Sequence, residues 1–435
     1  MKPAKPILIE GSAGEGGGQL VRIACGLAAV TTQPIRIVNI RENRDRGKGL
    51  KSQHVSAIKW LATVTDAEVD GLELGSRDLE FRPQTPPTAL KERKVVFKPD
   101  SPGASALLIL QAVFPFLLFA GNENGDPIEL EIHGSTNPSF SPSYEYLDQV
   151  FLPTLEQRFG IVVERRLEKR AWTIGSMTQG TIWLKFQPIP PGQTLKVVKP
   201  WNAERQPREL DIKHIDISIL VPAAMRQPLE EKMAESLYHQ LQATNVNSIL
   251  SEDSGSDARM YALAVAHSET GLRWGWDFLY NRRWKKKQAT TLAKEIAQVV
   301  SNRLWEQLVV HPAAVDEHLQ DQLVVFQALA EARTTYWSRA TEAFDSDKLP
   351  ERTNNIGDVD QALEGSHIGE RMRQDKTHEP FGFGSTHATT ARWVTSELLP
   401  KARWFNNGTI CEGAGISIKL PQLSTSTEGK AHDND

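Results

Sequence analysis

The sequence is poor in the residues that mark a disulfide scaffold, a cysteine-based metal site or a membrane span. Its 435 residues include two cysteines, Cys25 and Cys411, which are too few for a disulfide framework or a zinc site built from cysteines. The longest apolar run, residues 104–120, is interrupted by polar residues and a proline, so it predicts a buried helix. Residues 1–10 lack the apolar core of a secretory signal. We therefore expect an intracellular protein with no membrane partner.

The chain also lacks a large net charge, because its total is −4. Against that background, residues 36–59 carry seven basic and two acidic residues, a local charge of +5. They follow a strand predicted at residues 35–40 and include glycines, which is typical of a turn that binds a phosphate-rich partner. A solvated charged loop is the alternative. A second basic cluster, residues 282–287, indicates a nuclear import signal, an RNA-facing patch or an exposed helix start, so we expect the nucleus, with the cytoplasm as the alternative.

A turn with three consecutive glycines opens the first predicted helix. Residues 15–19 read Glu-Gly-Gly-Gly-Gln, and apolar residues then recur with helical period from Leu20 to Ala28. Glycine lets the backbone approach a ligand closely, and the same period places Glu15, Gln19 and Arg22 side by side at the helix N-terminus. A carboxylate for a metal and a guanidinium for a phosphate predict a nucleotide site. A plain turn followed by a solvated arginine is the alternative.

Three later helices place polar side chains where they can reach a ligand. Gln111 lies inside the apolar helix, where its amide needs a partner. Asp321 and Gln322 precede the apolar residues of a helix predicted to end near Arg333. His387 begins another helix, whose N-terminus disfavours imidazolium and keeps a neutral imidazole able to attack a phosphate. The alternatives are polar residues that cap nearby backbone groups and a structural histidine.

These segments together resemble the RNA 3′-terminal phosphate cyclase family. The motifs occur in the order and spacing of that family. They are the turn at residues 15–19 with Arg22, then Arg41, Arg44, Gly49-Leu50 and Gln53-His54, then Gly134-Ser135-Thr136-Asn137, the His-Leu-Gln-Asp-Gln segment of residues 318–322, and the histidine segment of residues 387–400.

The resemblance implies an α/β (α+β) fold, in which a large domain of three repeated αβ units is interrupted by a smaller inserted αβ domain. We expect the large domain at residues 1–189 and 281–421 and the small one at residues 190–280. Residues 338–380, polar and without a period, predict a flexible insertion, and residues 422–435 a disordered tail. Strands ending in Phe-x-Pro, at residues 79–83 and 182–188, are a faint sign of the repeat, and another strand is predicted at residues 72–74.

The resemblance also implies an ATP-dependent ligase reaction that forms a phosphodiester. A histidine attacks the α-phosphate of ATP, releases pyrophosphate and becomes adenylylated. AMP then moves to the 3′-phosphate of RNA, and the neighbouring 2′-hydroxyl displaces it to close a 2′,3′-cyclic phosphate. By this resemblance His387 is the nucleophile, and Glu15 binds Mg²⁺ or Mn²⁺. The implied partner is RNA with a 3′-phosphate end, and the other implied ATP-site residues are Arg22, Arg41, Arg44, Gln53, His54, Gln111, His318, Asp321 and Gln322.

Two glycine-rich turns of the family are replaced in this chain, at residues 173–180 and 279–283. Their loss affects RNA docking and turnover more than adenylylation. One alternative function is therefore a catalytically weak or inactive family member that binds RNA or acts in ribosomal RNA processing, although the retained His387 argues against it. A second alternative is an enolpyruvyl transferase-like enzyme with the same repeated architecture. The Asp-Gln and histidine segments do not fit that second alternative.

Overall fold

The structure, a computed structural model, describes residues 4–44, 47–174, 178–199, 212–243, 245–280, 289–310, 313–335 and 373–421. Several predicted features lie partly or wholly outside the described residues: residues 175–177 and 281–283 of the two altered glycine turns, the basic cluster at 282–287, the insertion up to residue 372, and the tail at 422–435. None of the described helices is long and apolar enough to cross a membrane.

The first unit is a four-stranded sheet with two helices. Its elements are β1 (Ile7–Glu10), α1 (Gly18–Thr31), β2 (Ile35–Val38), α2 (Ser52–Val64), β3 (Glu68–Asp70) and β4 (Leu79–Arg82). The strand order is β1-β2-β4-β3, with β1 parallel to β2 and the other pairs antiparallel. Alternation of apolar and polar residues along β2 buries Ile35 and Ile37 on one face.

The second unit repeats that topology. Its elements are β5 (Lys94–Phe97), α3 (Ala106–Leu118), β6 (Ile128–Gly134), α4 (Tyr144–Tyr146) continued through a π-helical turn (Leu147–Phe151) into α5 (Leu152–Phe159), β7 (Val163–Lys169) and β8 (Gly180–Phe186). The strand order β5-β6-β8-β7 has the same parallel and antiparallel pairs as the first sheet. The two predicted Phe-x-Pro strands, β4 and β8, therefore occupy equivalent places. A short 3₁₀ turn, Pro87–Ala89, joins the units.

A smaller unit follows, with helices on one face of its sheet. Its elements are β9 (Ile212–Val221), a 3₁₀ turn (Ala223–Met225), α6 (Arg226–Leu241), β10 (Val246–Asp253), β11 (Met260–Ser268), β12 (Arg273–Tyr280) and α7 (Ala289–Trp305), which ends in a π-helical turn (Glu306–Val310). The strand order is β10-β9-β11-β12. The apolar faces of α6 and α7 bury one face of this sheet. The predicted boundary at residues 280 and 281 stays a prediction, and α7 beyond it packs with the small sheet.

The third unit completes the large part of the chain. It contains α8 (Glu317–Leu329), β13 (Arg333–Thr335), α9 (Thr386–Leu398), β14 (Arg403–Phe405) and β15 (Ile410–Glu412), with strand order β13-β15-β14. A parallel bridge between Lys196 and Glu331 stands where the other units have their first strand. The small unit is therefore inserted between that bridge and α8, and the predicted fold class of repeated αβ units with an insertion is confirmed.

Helix α1 is the centre of the large core. It packs against α2, α3 and α9, and every residue from Gly18 to Val30 is buried. Helix α3 approaches so closely that a Cβ on Gly26 would lie 2.7 Å from the Ala112 carbonyl oxygen. The buried surface of α1 is therefore wider than the apolar stripe predicted from the sequence, because Gln19 and Arg22 are buried as well.

Two local predictions were wrong. Residues 72–74 form a turn and not a strand, because Gly71 and Gly75 on either side adopt positive φ angles and Leu74 is exposed. Helix α8 ends at Leu329 and not near Arg333, since Arg333 already pairs with Glu412 in the third sheet. Within the predicted insertion, Gln374 bridges to Phe405 and Asp375 accepts hydrogen bonds from the amides of Asn407 and Gly408.

Candidate active site

A single glutamine side chain connects the aspartate and the histidine of the predicted site. Gln19, in the first turn of α1, donates through Nε2 to Asp321 Oδ2 at 2.5 Å. Its carbonyl oxygen lies 3.1 Å from His387 Nδ1. Because the amide nitrogen donates to Asp321, the amide oxygen can only accept, so Nδ1 of His387 carries the proton. The Nε2 lone pair of His387 is therefore left free.

His387 lies at the start of α9 and faces the cleft. Ser385 caps this helix by accepting the amide of Ala388 at 3.2 Å. About half of the His387 side chain, 51%, is exposed. Burial of the remainder lowers the pKa of His387, and the positive charges of Arg22 and Arg44 lower it further. The imidazole is therefore neutral at neutral pH, as a nucleophile must be.

Asp321 is a partly buried carboxyl group in the second turn of α8. Burial raises the pKa of Asp321 to about 7, although the charges of His318 and Arg22 and the bond from Gln19 oppose that rise. Helix α8 is held in place by its cap, Asp316, which accepts hydrogen bonds from the amides of Leu319 and Gly275. The position of Asp321 is therefore fixed by a cap that joins α8 to the small unit.

Arg22 and His54 offer hydrogen-bond donors to a common space. Arg22 donates through Nε to Gln111 Oε1 at 3.1 Å, which gives the buried glutamine its partner. His54 Nδ1 accepts the backbone amide of Lys51 at 3.1 Å, so Nε2 carries the proton. That buried Nε2 has no hydrogen-bond partner among the described residues. A Cβ on Gly18 would lie 2.3 Å from it and 2.9 Å from Arg22 Nη1, so only glycine leaves the space open.

The charges of this region favour an anion. Burial lowers the pKa of His54 well below its ordinary value, and the charges of Arg22, Arg41 and Lys51 add to the effect, so His54 is neutral. Burial lowers the pKa of Arg22 to about 10, which still leaves it charged at neutral pH. One buried guanidinium and one imidazole N–H without an acceptor are a suitable cradle for a phosphate.

Glu15 stands beside His387 at the glycine turn. Its backbone amide donates to Thr390 Oγ1 on α9 at 3.0 Å, and its carboxylate forms an ion pair with Arg44. The second carboxylate oxygen, Oε2, lies 4.0 Å from His387 Nδ1 and finds no hydrogen-bond donor in the part of the chain that the structure describes. A buried carboxylate oxygen that lacks a donor is suited to a hard divalent cation.

The cleft lies between the large units and the small sheet and has a volume of about 680 Å³. Six predicted residues line it: Arg22, Gln111, His318, Asp321, Gln322 and His387. Glu15, Arg44 and His54 reach the site through the contacts described above. Arg41 and Gln53 do not line the cleft. Arg41 donates to the Gly47 carbonyl, and Gln53 lies half-buried in the first turn of α2.

Several lining residues escaped sequence reasoning because they come from the small unit. Trp276 on β12 contacts His318 with ring centroids 4.8 Å apart, and Arg303 on α7 lies over the Trp276 ring at 5.8 Å. Phe140, from the loop after β6 in the second unit, was missed as well and adds an aromatic side chain that is 53% exposed. No local pattern marks Trp276 and Arg303, since only the packing of the small unit against α8 brings them to the cleft.

Comparison with known proteins identifies the family. The model of the family described as RNA 3′-terminal phosphate cyclase matches residues 13–350. An RNA 3′-terminal phosphate cyclase of Ignicoccus hospitalis is 33% identical over 75% of this chain and 86% of its own length. Those of Staphylothermus marinus and Methanopyrus kandleri are 31% and 30% identical, over 74% and 76% of this chain and 85% and 87% of their own. These archaeal relatives lend no support to the predicted nuclear location. The chain belongs to the RNA 3′-terminal phosphate cyclase family.

Proposed function

We propose that this chain converts an RNA 3′-phosphate end into a 2′,3′-cyclic phosphate at the expense of ATP, through an AMP carried on His387. His387 Nε2 bonds to the α-phosphorus of ATP as pyrophosphate leaves. An oxygen of the RNA 3′-phosphate then bonds to that phosphorus and releases the histidine. Finally the 2′-oxygen bonds to the 3′-phosphorus, loses its proton and expels AMP.

The observation that carries this proposal is the Asp321–Gln19–His387 chain of hydrogen bonds. It orients the imidazole and keeps the proton on Nδ1, so the lone pair on Nε2 is available for attack. Asp321 does not touch the imidazole and acts through Gln19. The family model ends at residue 350, before His387, so this geometry is the main support for His387 as the nucleophile.

The donors around Gly18 support the ATP assignment. Arg22 and the Nε2–H of His54 point into space that a single Cβ would fill, and a phosphate oxygen would give that N–H its acceptor. We assign Arg22 and His54 to the phosphates of ATP. Arg41 and Arg44 contribute positive charge from the turn that follows β2. Charge that develops on the phosphate oxygens is stabilised by such fixed donors.

Glu15 is the proposed ligand for Mg²⁺ or Mn²⁺. Its Oε2 has no donor among the residues described, and a carboxylate oxygen is a preferred ligand of both ions. When bound, the ion would neutralise charge on the phosphates of ATP. Arg44, which pairs with the other oxygen of Glu15, orients that carboxylate.

The cleft has room for an RNA end beside the nucleotide. Its volume of about 680 Å³ is bordered by Phe140, Trp276 and Arg303, side chains on which a nucleotide base can stack. We therefore propose that the RNA end enters between the small unit and the large units, with its 3′-phosphate directed at His387.

The proposal is tested with a short RNA that carries a radiolabelled 3′-phosphate, incubated with the protein, ATP and Mg²⁺ or Mn²⁺. We expect the label to become resistant to phosphatase as the cyclic phosphate forms, and to stay sensitive with His387→Ala. His239→Ala, an exposed histidine of α6, is the matched control and is expected to keep full activity. A folded wild-type protein whose RNA stays phosphatase-sensitive under both metals would refute the proposal.

A further inference from the structure

Two histidines and an aspartate lie together on the small sheet, away from the cleft. His214 and Asp216 are two residues apart on β9, so their side chains share one face of the strand. His267 on β11 is the direct cross-strand neighbour of His214. Ile215 and Ile217 point to the opposite face, where α6 and α7 cover them. The strand register thus collects all three side chains on the face that does not carry the helices.

The ligand atoms of these residues are spaced as a small cation requires. His267 Nε2 lies 3.0 Å and His214 Nε2 3.6 Å from the same oxygen, Asp216 Oδ2. A tetrahedral ion with bonds of about 2.0–2.1 Å places its ligand atoms about 3.3 Å apart, between those two distances. The three ligand atoms all lie within 4.8 Å of one another, and this is the only such group of three among the residues described.

Hydrogen bonding does not account for this arrangement. Although His267 Nε2 lies 3.0 Å from Asp216 Oδ2, the buried nitrogen makes no hydrogen bond of acceptable geometry to Asp216 or to another group within the described ranges. The two imidazole rings are stacked, with centroids 4.3 Å apart and planes 11° from parallel. Asn247 donates to Asp216 Oδ1 at 3.0 Å, which orients the carboxylate and leaves Oδ2 for the histidines. Such an outer partner is a regular feature of metal-binding carboxylates.

The exposure of the group also suits a metal. The three side chains are between 16% and 24% exposed, so an ion can enter from solvent. Arg273, the cross-strand neighbour of His267 on β12, is an opposing charge, and it is partly balanced by Glu156 and Asp216.

We propose that His214, Asp216 and His267 bind one divalent ion of the zinc class, through both Nε2 atoms and Asp216 Oδ2, with solvent in the remaining position. Imidazole nitrogens select zinc-class ions over Mg²⁺, so this site is chemically different from the one proposed at Glu15. The ion cross-links β9 and β11 on the side where the small unit meets the large ones, since neighbouring Ser218 bonds to Gln149 there.

The test uses the full chain with Glu15→Gln and His387→Ala as background, without ATP, so that the proposed nucleotide site does not compete for the ion. Both cysteines are buried and do not compete either. After chelator treatment, zinc bound at equilibrium is measured by dialysis and elemental analysis. We expect one equivalent per chain, and an affinity at least about tenfold lower with His267→Gln or Asp216→Asn. His133→Gln, which alters a histidine–carboxylate contact with Glu131 on a different sheet, is expected to leave binding unchanged.

Substitution by Co²⁺ gives a second measurement that needs no site variant. We expect one equivalent of Co²⁺ to produce the visible absorption of a four-coordinate ion with nitrogen ligands, and zinc to displace it. Equal zinc binding by the background protein and folded His267→Gln would overturn the proposal. So would the absence of that Co²⁺ spectrum, whatever the variants do.

Discussion

Replacement of Gln19 by methionine tests the catalytic role of the hydrogen-bond chain. Methionine keeps the length and apolar stem of the side chain and removes both contacts of the amide, to Asp321 Oδ2 and His387 Nδ1. A hydrogen bond between neutral groups contributes about 1 kcal/mol, and one to a charged group about 1.5–3 kcal/mol. Loss of the imidazole bond alone corresponds to about fivefold in rate, and loss of both to roughly 70- to 900-fold.

The assay is the single-turnover rate at which the protein acquires label from α-labelled ATP, measured per folded molecule. Gln149→Met is the matched control, because Gln149 is a partly buried amide that bonds to Ser218 of the small unit and not to His387. We expect Gln19→Met to slow labelling by between about fivefold and about 900-fold, and Gln149→Met to leave it unchanged. A folded Gln19→Met protein that labels at the wild-type rate would show that His387 needs no orienting group.

Three further outcomes follow from the site. Gly18→Ala places a Cβ 2.3 Å from His54 Nε2 and is expected to slow adenylylation. The control Gly26→Ala crowds the Ala112 carbonyl oxygen at 2.7 Å and should lower stability by about 1–3 kcal/mol without changing the rate per folded molecule. Equal adenylylation rates for the two variants would contradict a phosphate site at Gly18. Because burial raises the pKa of Asp321 to about 7, its proton stabilises the fold at low pH and this contribution is lost as pH rises through 7. Urea unfolding should therefore show the wild type losing on the order of 4 kcal/mol relative to Asp321→Asn between about pH 4 and pH 8, and parallel curves would exclude the shift. Glu15→Gln should weaken the Mn²⁺ dependence of adenylylation, and a variant with wild-type metal titration would remove Glu15 from the metal site.

The fold class was predicted from the resemblance to the family, and the sequence itself showed only the faint Phe-x-Pro sign of the repeat. In the structure, strands and helices recur in the same order in the units. The glycines flanking residues 72–74 were the signal missed there. Two glycines with positive φ angles favour a turn, and the Leu-x-Leu alternation between them is too short to form a strand. The packing of α7 on the small sheet could not be predicted from the sequence, because the apolar face of an amphipathic helix does not indicate which sheet it covers.

The site was predicted as a set of residues and a mechanism, but the contacts among those residues were not predicted. Gln19 was placed beside Arg22 from helical period, yet its bridge between Asp321 and His387 joins residues about 300 and 370 positions away. Arg44 was expected on a phosphate, and the structure pairs it with Glu15. Such long-range contacts depend on how the three units pack around α1. The contribution of Trp276 and Arg303 to the cleft could not be predicted either, because it also depends on long-range packing.

The most direct test of the central hypothesis is to locate AMP on the chain. The protein is incubated with ATP and Mg²⁺ or Mn²⁺, digested under mildly alkaline conditions that preserve phosphoramidates, and analysed by peptide mass spectrometry. We expect the mass of one adenylate on the peptide that contains His387, and its loss in His387→Ala. An adenylate on any other residue, or none on a folded and ATP-treated chain, would contradict His387 as the nucleophile.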